Sequence, residues 1–304
     1  MMPIFPIDLR KSKLERIYRI YKTTKNWHEV LLAYLGLKKF CVALLRSGYR
    51  IPVSKNSWSE FWKCITIEFL KSKLENIHFI DEDAVAFKYN KREIILKLPK
   101  QINFAPLLYT FFYEDYKYLN VSGKCVIDVG AYIGDTAIYF ALKGARKVFA
   151  IEPYPYTYNL LVENIRMNSL DSVVKPINAA IMDSDGIMLL PYIEEDTAGK
   201  LAYNSEKGVE IPCYKLSTLV DMLKHSEEVY DGLVLKLDCE GCEYYAILGS
   251  SSETLREFEE IILEFHGNPK PLMHKLRECG FKVNLYSIDL KSKTGMLFAK
   301  RKIL

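Results

Sequence analysis

The residues best suited to chemistry lie in a short apolar segment that contains a carboxylate and leads into two glycines. It covers positions 126–135, VIDVGAYIGD, with Asp128 near the end of a predicted strand and Gly130 and Gly134 in the following turn. Glycine permits a tight turn and the close approach of a ligand because it has no Cβ atom. The helix predicted next offers unpaired N–H groups and the positive end of its dipole. The pattern predicts a strand–turn–helix unit that binds a small ligand, and a unit of this kind without a ligand is the alternative.

A second predicted strand, residues 147–151, ends at another carboxylate, Glu152. An acidic side chain at this position of a βαβ unit can accept hydrogen bonds from both hydroxyls of a ribose. The G-x-G-x-x-G spacing of nicotinamide sites is absent, and Asp128 would repel a pyrophosphate, whereas it is compatible with a ligand that carries an ammonium group. S-adenosylmethionine carries such a group, so we predict a methyl-donor site, with a dinucleotide site as the weaker alternative.

Five ordered motifs extend this interpretation along the chain. They read VIDVGAYIGDT, FAIEPYP, NAAI, LKLDCEGCE and IILEFHG. With these motifs the sequence resembles the FkbM family of methyltransferases from about residue 105 to about residue 300. The resemblance implies S-adenosylmethionine as the cofactor and O-methylation of sugar or polyketide hydroxyls as the usual activity. Tyr132 stands where such loops often carry Asn or Gly, and Cys239 stands where Val is common, so Tyr132 bears on the size of the substrate.

The order of predicted elements indicates an α/β fold after Pro99. Strands and helices alternate from that point, which is typical of a parallel sheet. The chain closes with two strand-like segments, residues 282–288 and 295–300. By analogy with methyltransferases we expect a Rossmann-like sheet of seven strands, mostly parallel, with the last strand antiparallel. We expect residues 1–100 to form a small α+β element, and residues 101–304 to form the methyltransferase domain.

The donor side of the predicted site follows from the rule that open α/β sheets bind ligands beyond the carboxyl ends of their strands. Gly130 and Gly134 are expected to let the loop fold against the methionine portion of the donor, and Asp128 to face its ammonium group directly or through water. Asn178, after the third strand, is expected either to accept from the adenine amino group or only to form a turn. The residues assigned to the donor are Asp128, Gly130, Tyr132, Gly134, Glu152, Pro153 and Asn178.

The acceptor side is assigned to the ends of the fourth and fifth predicted strands. The segment 238–243, DCEGCE, brings three carboxylates to a strand-to-helix turn. An alcohol is a weak nucleophile until it loses its proton, so a positioned base is worth about 10²–10⁴-fold in rate. On the fifth strand, Glu264 and His266 are two positions apart and therefore lie on the same face of the strand. Acids in a first helical turn also bind free N–H groups, so a purely structural role stays open for them. The catalytic candidates are Asp238, Glu240, Glu264 and His266.

Carboxylate and cysteine side chains near the predicted acceptor side are of the types that can bind a metal ion. Asp238, Glu240 and Glu264 could together hold a divalent cation such as Mg²⁺ or Ca²⁺, and the sequence does not decide this. Cys239 and Cys242 form a C-x-x-C pair, but no second pair or histidine cluster lies nearby in the sequence, so buried thiols are favoured over zinc or redox chemistry. Seven scattered cysteines fit a reducing cytoplasm better than a disulfide framework.

The charge of the chain is uneven. Residues 1–100 hold 20 Lys and Arg against 10 Asp and Glu, whereas residues 101–304 hold 22 against 28. A basic amino-terminal third can meet anionic lipid, nucleic acid or an acidic glycan, although such an excess is more often a solvated face. A helix predicted over Leu9–Lys22 carries basic residues around an apolar stripe and could lie on a membrane surface, although an ordinary packed helix is the favoured interpretation.

Several functions remain open at this point. We expect an O-methyltransferase that acts on a hydroxyl of a carbohydrate, glycolipid or related metabolite in the cytoplasm, since no apolar window approaches the roughly 20 residues of a membrane span. RNA or protein is the alternative acceptor. Nucleic acid is less favoured because the fourth strand lacks the N-P-P-Y-type end associated with base N-methylation. A non-catalytic scaffold that retains the donor pocket is the third possibility.

Overall fold

The computed structural model describes residues 13–54, 56–99, 104–191, 208–225, 232–289 and 292–302. The helices are α1 (Lys13–Thr23), α2 (Trp27–Tyr34), α3 (Trp58–Leu70), a π-helical segment (Pro106–Phe112), α4 (Asp135–Leu142), α5 (Pro155–Met167), α6 (Leu216–His225), α7 (Cys242–Leu248), α8 (Ser252–Arg256) and α9 (Lys270–Glu278). The strands are β1 (Phe40–Leu44), β2 (Arg50–Ser54), β3 (Glu75–Phe79), β4 (Ala84–Tyr89), β5 (Arg92–Lys97), β6 (Cys125–Val129), β7 (Lys147–Ile151), β8 (Val174–Ile177), β9 (Ala180–Ile181), β10 (Gly186–Leu190), β11 (Val209–Tyr214), β12 (Leu233–Leu237), β13 (Phe258–His266), β14 (Phe281–Asp289) and β15 (Thr294–Arg301).

A seven-stranded sheet forms the centre of the molecule, in the order β14-β15-β13-β12-β6-β7-β8. Neighbouring strands from β13 to β8 are parallel, and β15 is antiparallel to both β13 and β14. The Rossmann-like methyltransferase sheet predicted from the sequence is therefore confirmed, including its antiparallel last strand. The order places β6 and β12 side by side at the middle of the sheet, so their carboxyl ends meet there.

Burial on both faces of the sheet explains why these strands are almost continuously apolar. All five residues of β6 and all five of β12 are buried. Alternate side chains enter opposite cores: Val126 joins one apolar cluster, while Cys125 and Ile127 join the other. Asp128 and Lys236 are the two charged exceptions in these strands, and their Cα atoms are paired in the register of the sheet.

The amino-terminal third contributes two structures. Helices α1, α2 and α3 pack with the β1–β2 hairpin around a separate core that includes Ile20, Val53 and Phe61. The β3–β4–β5 sheet instead shares the main core, which continues from Phe69 to Phe298. The side-chain amides of Asn164, in α5, and Asn168, just after it, form hydrogen bonds with the backbone of β5. The main apolar core includes residues before and after residue 100.

Several local features depart from regular helices and from the central sheet. The aromatic-rich segment Leu107–Leu119 is helical only in the π-helical segment, which is followed by turns. Asn26 does not cap α2 with its side chain; it donates to the carbonyl oxygen of Val42 and accepts from the amide of Leu44. Strand β11 pairs with both β10 and β9 in a separate small sheet.

Two predicted segments fall wholly or partly outside the described residues. The polar loop expected at 194–208 is described only at Gly208, and the helix expected from Leu9 is described from Lys13 onward. Within the described ranges, no helix is long and apolar enough to cross a membrane.

Candidate functional site

A cavity of about 220 Å³ opens where β6, β7, β12 and β13 end. It is enclosed by the π-helical segment on one side and by the β14–β15 pair on the other. The lining residues are Ala105, Pro106, Tyr109, Thr110, Asp115, Tyr116, Gly130, Tyr132, Asp135, Thr136, Glu152, Pro153, Tyr154, Lys236, Asp238, Cys239, Glu240, Glu264, Ser287, Thr294, Gly295 and Met296. The cavity thus contains residues predicted for the donor side and for the acceptor side.

Glu152 organises the donor side of the cavity. Its Oε2 accepts from the amide of Tyr132 at 2.9 Å, and its Oε1 accepts from the amide of Tyr154 at 3.1 Å and from Thr157 Oγ1 at 2.7 Å. Burial raises the pKa of Glu152 to about 7, although these three hydrogen bonds oppose that rise. A carboxylate offers about four lone-pair directions, so Glu152 retains capacity for a further donor such as a ribose hydroxyl.

The two glycines of the loop are required by the packing of the protein chain itself. A Cβ atom on Gly130, whose φ is +74°, would lie 1.8 Å from the carbonyl oxygen of Asp238. A Cβ atom on Gly134, whose φ is +88°, would lie 2.6 Å from Leu161 Cδ1 on α5. Gly130 lines the cavity and Gly134 is not among the lining residues, so the predicted role of Gly134 beside the donor stays a prediction.

Asp128 does not line the cavity either. It is fully buried, accepts from Thr136 Oγ1 at 2.6 Å, and its Oδ1 lies 3.0 Å from Lys236 Nζ. Because Asp128 has no exposed surface in this structure, its predicted approach to the ammonium group of the donor, directly or through water, stays a prediction. Lys236 also donates to the carbonyl oxygens of Gly130 and Val129, at 2.7 and 3.2 Å. Asp128 acts on the cavity through this lysine, which holds the glycine loop.

Asn178 lies behind the cavity wall. Its side-chain nitrogen donates to the carbonyl oxygens of Glu152 and Pro153 at 2.8 and 3.0 Å. Asn178 is not among the lining residues, and these two hydrogen bonds fit the turn-forming alternative, while the contact with adenine stays a prediction. Pro153, which Asn178 holds in place, does line the cavity as predicted.

The acceptor side is formed by three half-buried carboxylates. Asp238, Glu240 and Glu264 all line the cavity. Asp238 Oδ2 accepts a hydrogen bond of 2.8 Å from the hydroxyl of Tyr116, whose ring packs over Lys236. Burial and the charge of Asp238 raise the pKa of Tyr116 well above its usual value, so Tyr116 stays a hydrogen-bond donor at neutral pH.

His266 lies outside the cavity lining and between two glutamates. Its Nε2 is 3.1 Å from Glu240 Oε2, and its Nδ1 is 3.2 Å from Glu243 Oε1. Burial lowers the pKa of His266, but the hydrogen bond with Glu243 and the charges of Glu240 and Asp238 outweigh that effect and raise it to about 9. His266 therefore carries a proton at neutral pH, and its predicted catalytic role stays a prediction.

The C-x-x-C pair is oxidised rather than free. Cys239 and Cys242 form a disulfide, with their Cα atoms 5.4 Å apart. The prediction of buried thiols at these positions is wrong, whereas the other five cysteines are free. The bond closes the turn between β12 and α7, and this turn carries Glu240 in a left-handed conformation with φ of +56°.

A set of oxygen and nitrogen ligands suitable for a cation is present at the same edge. Asp238, Glu264 and His266 each offer one ligand atom, and these atoms lie within 4.8 Å of one another. This set differs from the predicted one by replacing Glu240 with His266, because Glu240 is turned toward the histidine ring. Coordination by His266 requires the loss of its proton.

Among the cavity residues that sequence reasoning did not assign to the site, three polar ones stand out. Lys236 is hidden in an apolar strand, and its alternation with Asp238 in LKLD was the available signal. Tyr116 is one of several aromatic residues in a segment assigned to the core. Ser287 lies next to a β-bulge between Leu285 and Ser287, and its buried hydroxyl has no hydrogen-bond partner among the described residues. Bulges of this kind redirect side chains near functional sites.

The lining suits S-adenosylmethionine in its chemistry. Among the described lining residues, Lys236 is the sole basic side chain, whereas six side chains are acidic. This set favours a cationic sulfonium and an ammonium group, and it disfavours a pyrophosphate. Glu152, the glycine loop and Pro153 are the residues that would hold the donor. The six acidic side chains are Asp115, Asp135, Glu152, Asp238, Glu240 and Glu264.

Comparison with known proteins agrees with this chemistry. The family described as the methyltransferase FkbM domain matches residues 128–283, more than half of the chain. The chain belongs to the FkbM methyltransferase family. The matched region is an S-adenosylmethionine-dependent methyltransferase domain of this family, which confirms the family and the cofactor predicted from the motifs.

The individual proteins to which this chain is similar are only distantly related to it in sequence. The chain is 39% identical over 63 residues to a tRNA(Phe) (4-demethylwyosine(37)-C(7)) aminocarboxypropyltransferase of Pyrococcus horikoshii, covering 21% of this chain and 23% of that protein. It is 24% identical over 196 residues to methyltransferase sdnD of Sordaria araneosa, covering 63% of this chain and 69% of that protein. The chain therefore spans less than a quarter of the first relative and about two thirds of the second. Aeropyrum pernix fibrillarin with bound S-adenosyl-L-methionine is 16% identical, with a TM-score of 0.39 over 86% of this chain and 94% of that one.

Proposed function

We propose that this enzyme transfers a methyl group to a hydroxyl of a carbohydrate, glycolipid or related metabolite. The observation that carries the proposal is the arrangement of one cavity with Glu152 on its donor side and Asp238, Glu240 and Glu264 on its acceptor side. Carboxylates accept hydrogen bonds from hydroxyls, so several of them around one cavity suit an acceptor with more than one hydroxyl. The donor supplies an activated methyl group, and the protein must align the nucleophile and remove its proton.

Asp238 is the base that we assign to this reaction. Tyr116 holds Oδ2 at 2.8 Å, which orients the carboxylate and leaves Oδ1 to accept a proton from the acceptor hydroxyl. Lys236, two positions before Asp238 and on the same face, donates to the carbonyl oxygen of Gly130 at 2.7 Å and so keeps the donor loop in place next to Asp238. Glu264 and the Ser287 hydroxyl lie on the cavity wall and bind further hydroxyls of the acceptor.

His266 acts by positioning. As an imidazolium it binds Glu240 and Glu243, and the amide of His266 also donates to Glu243 Oε1 at 2.9 Å. Glu243 is fully buried, so these contacts satisfy a charge that would otherwise be isolated. The consequence is a fixed orientation of Glu240 at the mouth of the cavity.

The charge of the cavity also argues against a nucleic-acid acceptor. A phosphodiester backbone is bound by clusters of Lys and Arg, whereas Lys236 is the sole basic residue among the described residues of the lining, and it is engaged with Asp128. An acceptor that carries phosphate next to its hydroxyl would be repelled by Glu240 and Glu264.

Methyl transfer to a mixed pool of acceptors tests the proposal. Glycans, glycolipids and RNA are offered together with isotope-labelled donor, and products are sought by mass spectrometry as a mass gain of one methylene group. We expect label in a hydroxyl of the carbohydrate-containing fraction, and turnover reduced by about 10²-fold or more in Asp238→Asn with donor binding retained. Asp221→Asn, an exposed change on α6, is the matched control.

Other outcomes contradict the proposal in different ways. Label found only in RNA would show that the methyl acceptor is a nucleic acid. Donor binding without label in any fraction would favour a scaffold, and a normal rate in Asp238→Asn would remove the assigned base while leaving the methyltransferase activity in place.

A further inference from the structure

Exposed apolar side chains are concentrated in the amino-terminal element. Among the described residues, 18 large hydrophobic side chains are exposed, and 10 of them lie between Leu14 and Tyr49. Single exposed hydrophobic residues are ordinary, but a group of this size marks an interaction surface. The remaining eight are spread from Phe79 to Leu248.

Helix α1 leaves one apolar stripe exposed. Leu14, Tyr18 and Tyr21 are spaced by four and three residues, share one face, and are 63, 45 and 47% exposed. The inward side of the helix is held by Ile20, which is fully buried in the amino-terminal core. The guanidinium groups of Arg16 and Arg19 pack over the rings of Trp62 and Phe69.

Side-chain contacts join this stripe to α2 and to the hairpin turn. The ring of Tyr21 meets the ring of Trp27 at 5.7 Å, and Lys22 lies over the ring of Tyr18. Arg46, in the turn between β1 and β2, donates to the carbonyl oxygens of Tyr21 and Lys22. We call the surface formed by Tyr18, Tyr21, Lys22, Lys25, Trp27 and Arg46 the basic-aromatic face.

The charge around this face is strongly positive. Residues 13–50 contain nine Lys and Arg and two Glu, a net charge of +7. Each glutamate already pairs with a cation: Glu15 with Arg19, and Glu29 with Lys38. In the described part of the chain, no carboxylate forms an ion pair with Lys22 or Lys25. The face therefore complements an anionic surface.

We propose that the basic-aromatic face binds the surface of an anionic lipid bilayer. Tyr and Trp prefer the interface of a bilayer, and lysines next to them are attracted to acidic headgroups. The amino-terminal element also exposes aliphatic residues after α2 and in β1, namely Leu35, Leu37 and Val42. Aliphatic side chains enter lipid but do not stack on bases, so the composition favours lipid over single-stranded nucleic acid.

Vesicle flotation with the full chain tests this surface without any need for a methyl acceptor. Wild-type protein is mixed with vesicles of phosphatidylcholine alone or with added phosphatidylserine. We expect binding only when phosphatidylserine is present, weakening as salt is raised. Lys22→Glu with Lys25→Glu, and separately Tyr21→Ser with Trp27→Ser, should each weaken partition by about tenfold or more.

Matched substitutions elsewhere serve as controls. Lys282→Glu with Lys302→Glu makes the same charge change on exposed residues of the methyltransferase sheet, and Ile187→Ser with Met222→Ser removes exposed apolar groups. These controls should partition like the wild type, and calorimetric binding of S-adenosylmethionine should show that every variant is folded.

Four results would overturn the proposal. They are equal binding to neutral and anionic vesicles, no binding to either, face variants that bind as well as the controls, and displacement from vesicles by a single-stranded RNA oligonucleotide that itself requires Lys22 and Trp27. The last result would assign the face to nucleic acid. None of the four bears on whether the enzyme methylates a hydroxyl.

Discussion

The buried pair of Lys236 and Asp128 allows a sharp test of how the glycine loop is held. Lys236 is 1% exposed and Asp128 is 0% exposed, and their charged atoms lie 3.0 Å apart. Replacing Lys236 with Met keeps the length of the side chain and removes its charge. The substitution leaves the carboxylate of Asp128 buried with only Thr136 as a hydrogen-bond donor, and it removes the donor that serves the carbonyl oxygen of Gly130.

The size of the effect follows from burial. Breaking a buried ion pair by removing one partner costs about 3–5 kcal/mol, because a charge stays behind in a low-dielectric environment. A domain of ordinary stability has about 5–15 kcal/mol in total, so Lys236→Met should be folded but markedly less stable. The donor loop should also loosen, and we expect weaker binding of S-adenosylmethionine in conditions where the variant is still folded.

Urea unfolding followed by circular dichroism measures the change, with Lys224→Met as the control. Lys224 pairs with Glu257 at 2.8 Å, but their side chains are 45 and 42% exposed, so its loss should cost about 0–1 kcal/mol. Combining Lys236→Met with Asp128→Asn removes both charges and should recover about half of the loss or more. A loss in Lys236→Met no larger than in the control, or no recovery in the double variant, would refute this account of the loop.

Three further predictions concern titration and metal. Because the pKa of Glu152 is raised to about 7, affinity for S-adenosylmethionine measured by calorimetry should rise from pH 6 to 8 as the carboxylate ionises. The Glu152→Gln variant should bind S-adenosylmethionine about tenfold or more weakly and show no such rise. Glu163→Gln is the control. The pKa of His266 is raised from 6.5 to about 9, so its contribution to stability, up to about 3 kcal/mol, is present below pH 6.5 and lost as the pH rises through 9; urea midpoints of His266→Gln should lack that part of the pH dependence, and an unchanged profile would contradict the pairing with Glu243. If Asp238, Glu264 and His266 hold a divalent cation in the working enzyme, a chelator abolishes turnover and added Mg²⁺ restores it, whereas full activity in chelator removes the metal.

The fold was predictable because its signals are local and repeated. Five-residue apolar strands followed by helices specify a parallel sheet, and the closing pair of strands indicated its antiparallel edge. The ends of these strands placed Glu152, Asp238 and Glu264 on one rim, where all three line the cavity. The family motifs also predicted the cofactor, S-adenosylmethionine.

The errors share a cause, which is that side-chain environments depend on distant parts of the chain. The protonation of His266 depends on Glu240 and Glu243, so its sequence position could not show that it is an imidazolium. The disulfide depends on a turn that brings Cys239 and Cys242 to a Cα separation of 5.4 Å. Composition alone had favoured free thiols.

The amino-acid sequence by itself determined the order of elements, the methyl-donor chemistry and the acidic character of the rim. Tertiary structure decided that the carboxylate of Glu152 lines the cavity and that of Asp128 does not. Asp128 is paired in register with Lys236, which follows it by 108 positions in the sequence, and β6 and β12 are buried on both faces. A charge in such a strand must find a partner inside the protein, and the pairing of strands, which no local pattern encodes, supplied that partner.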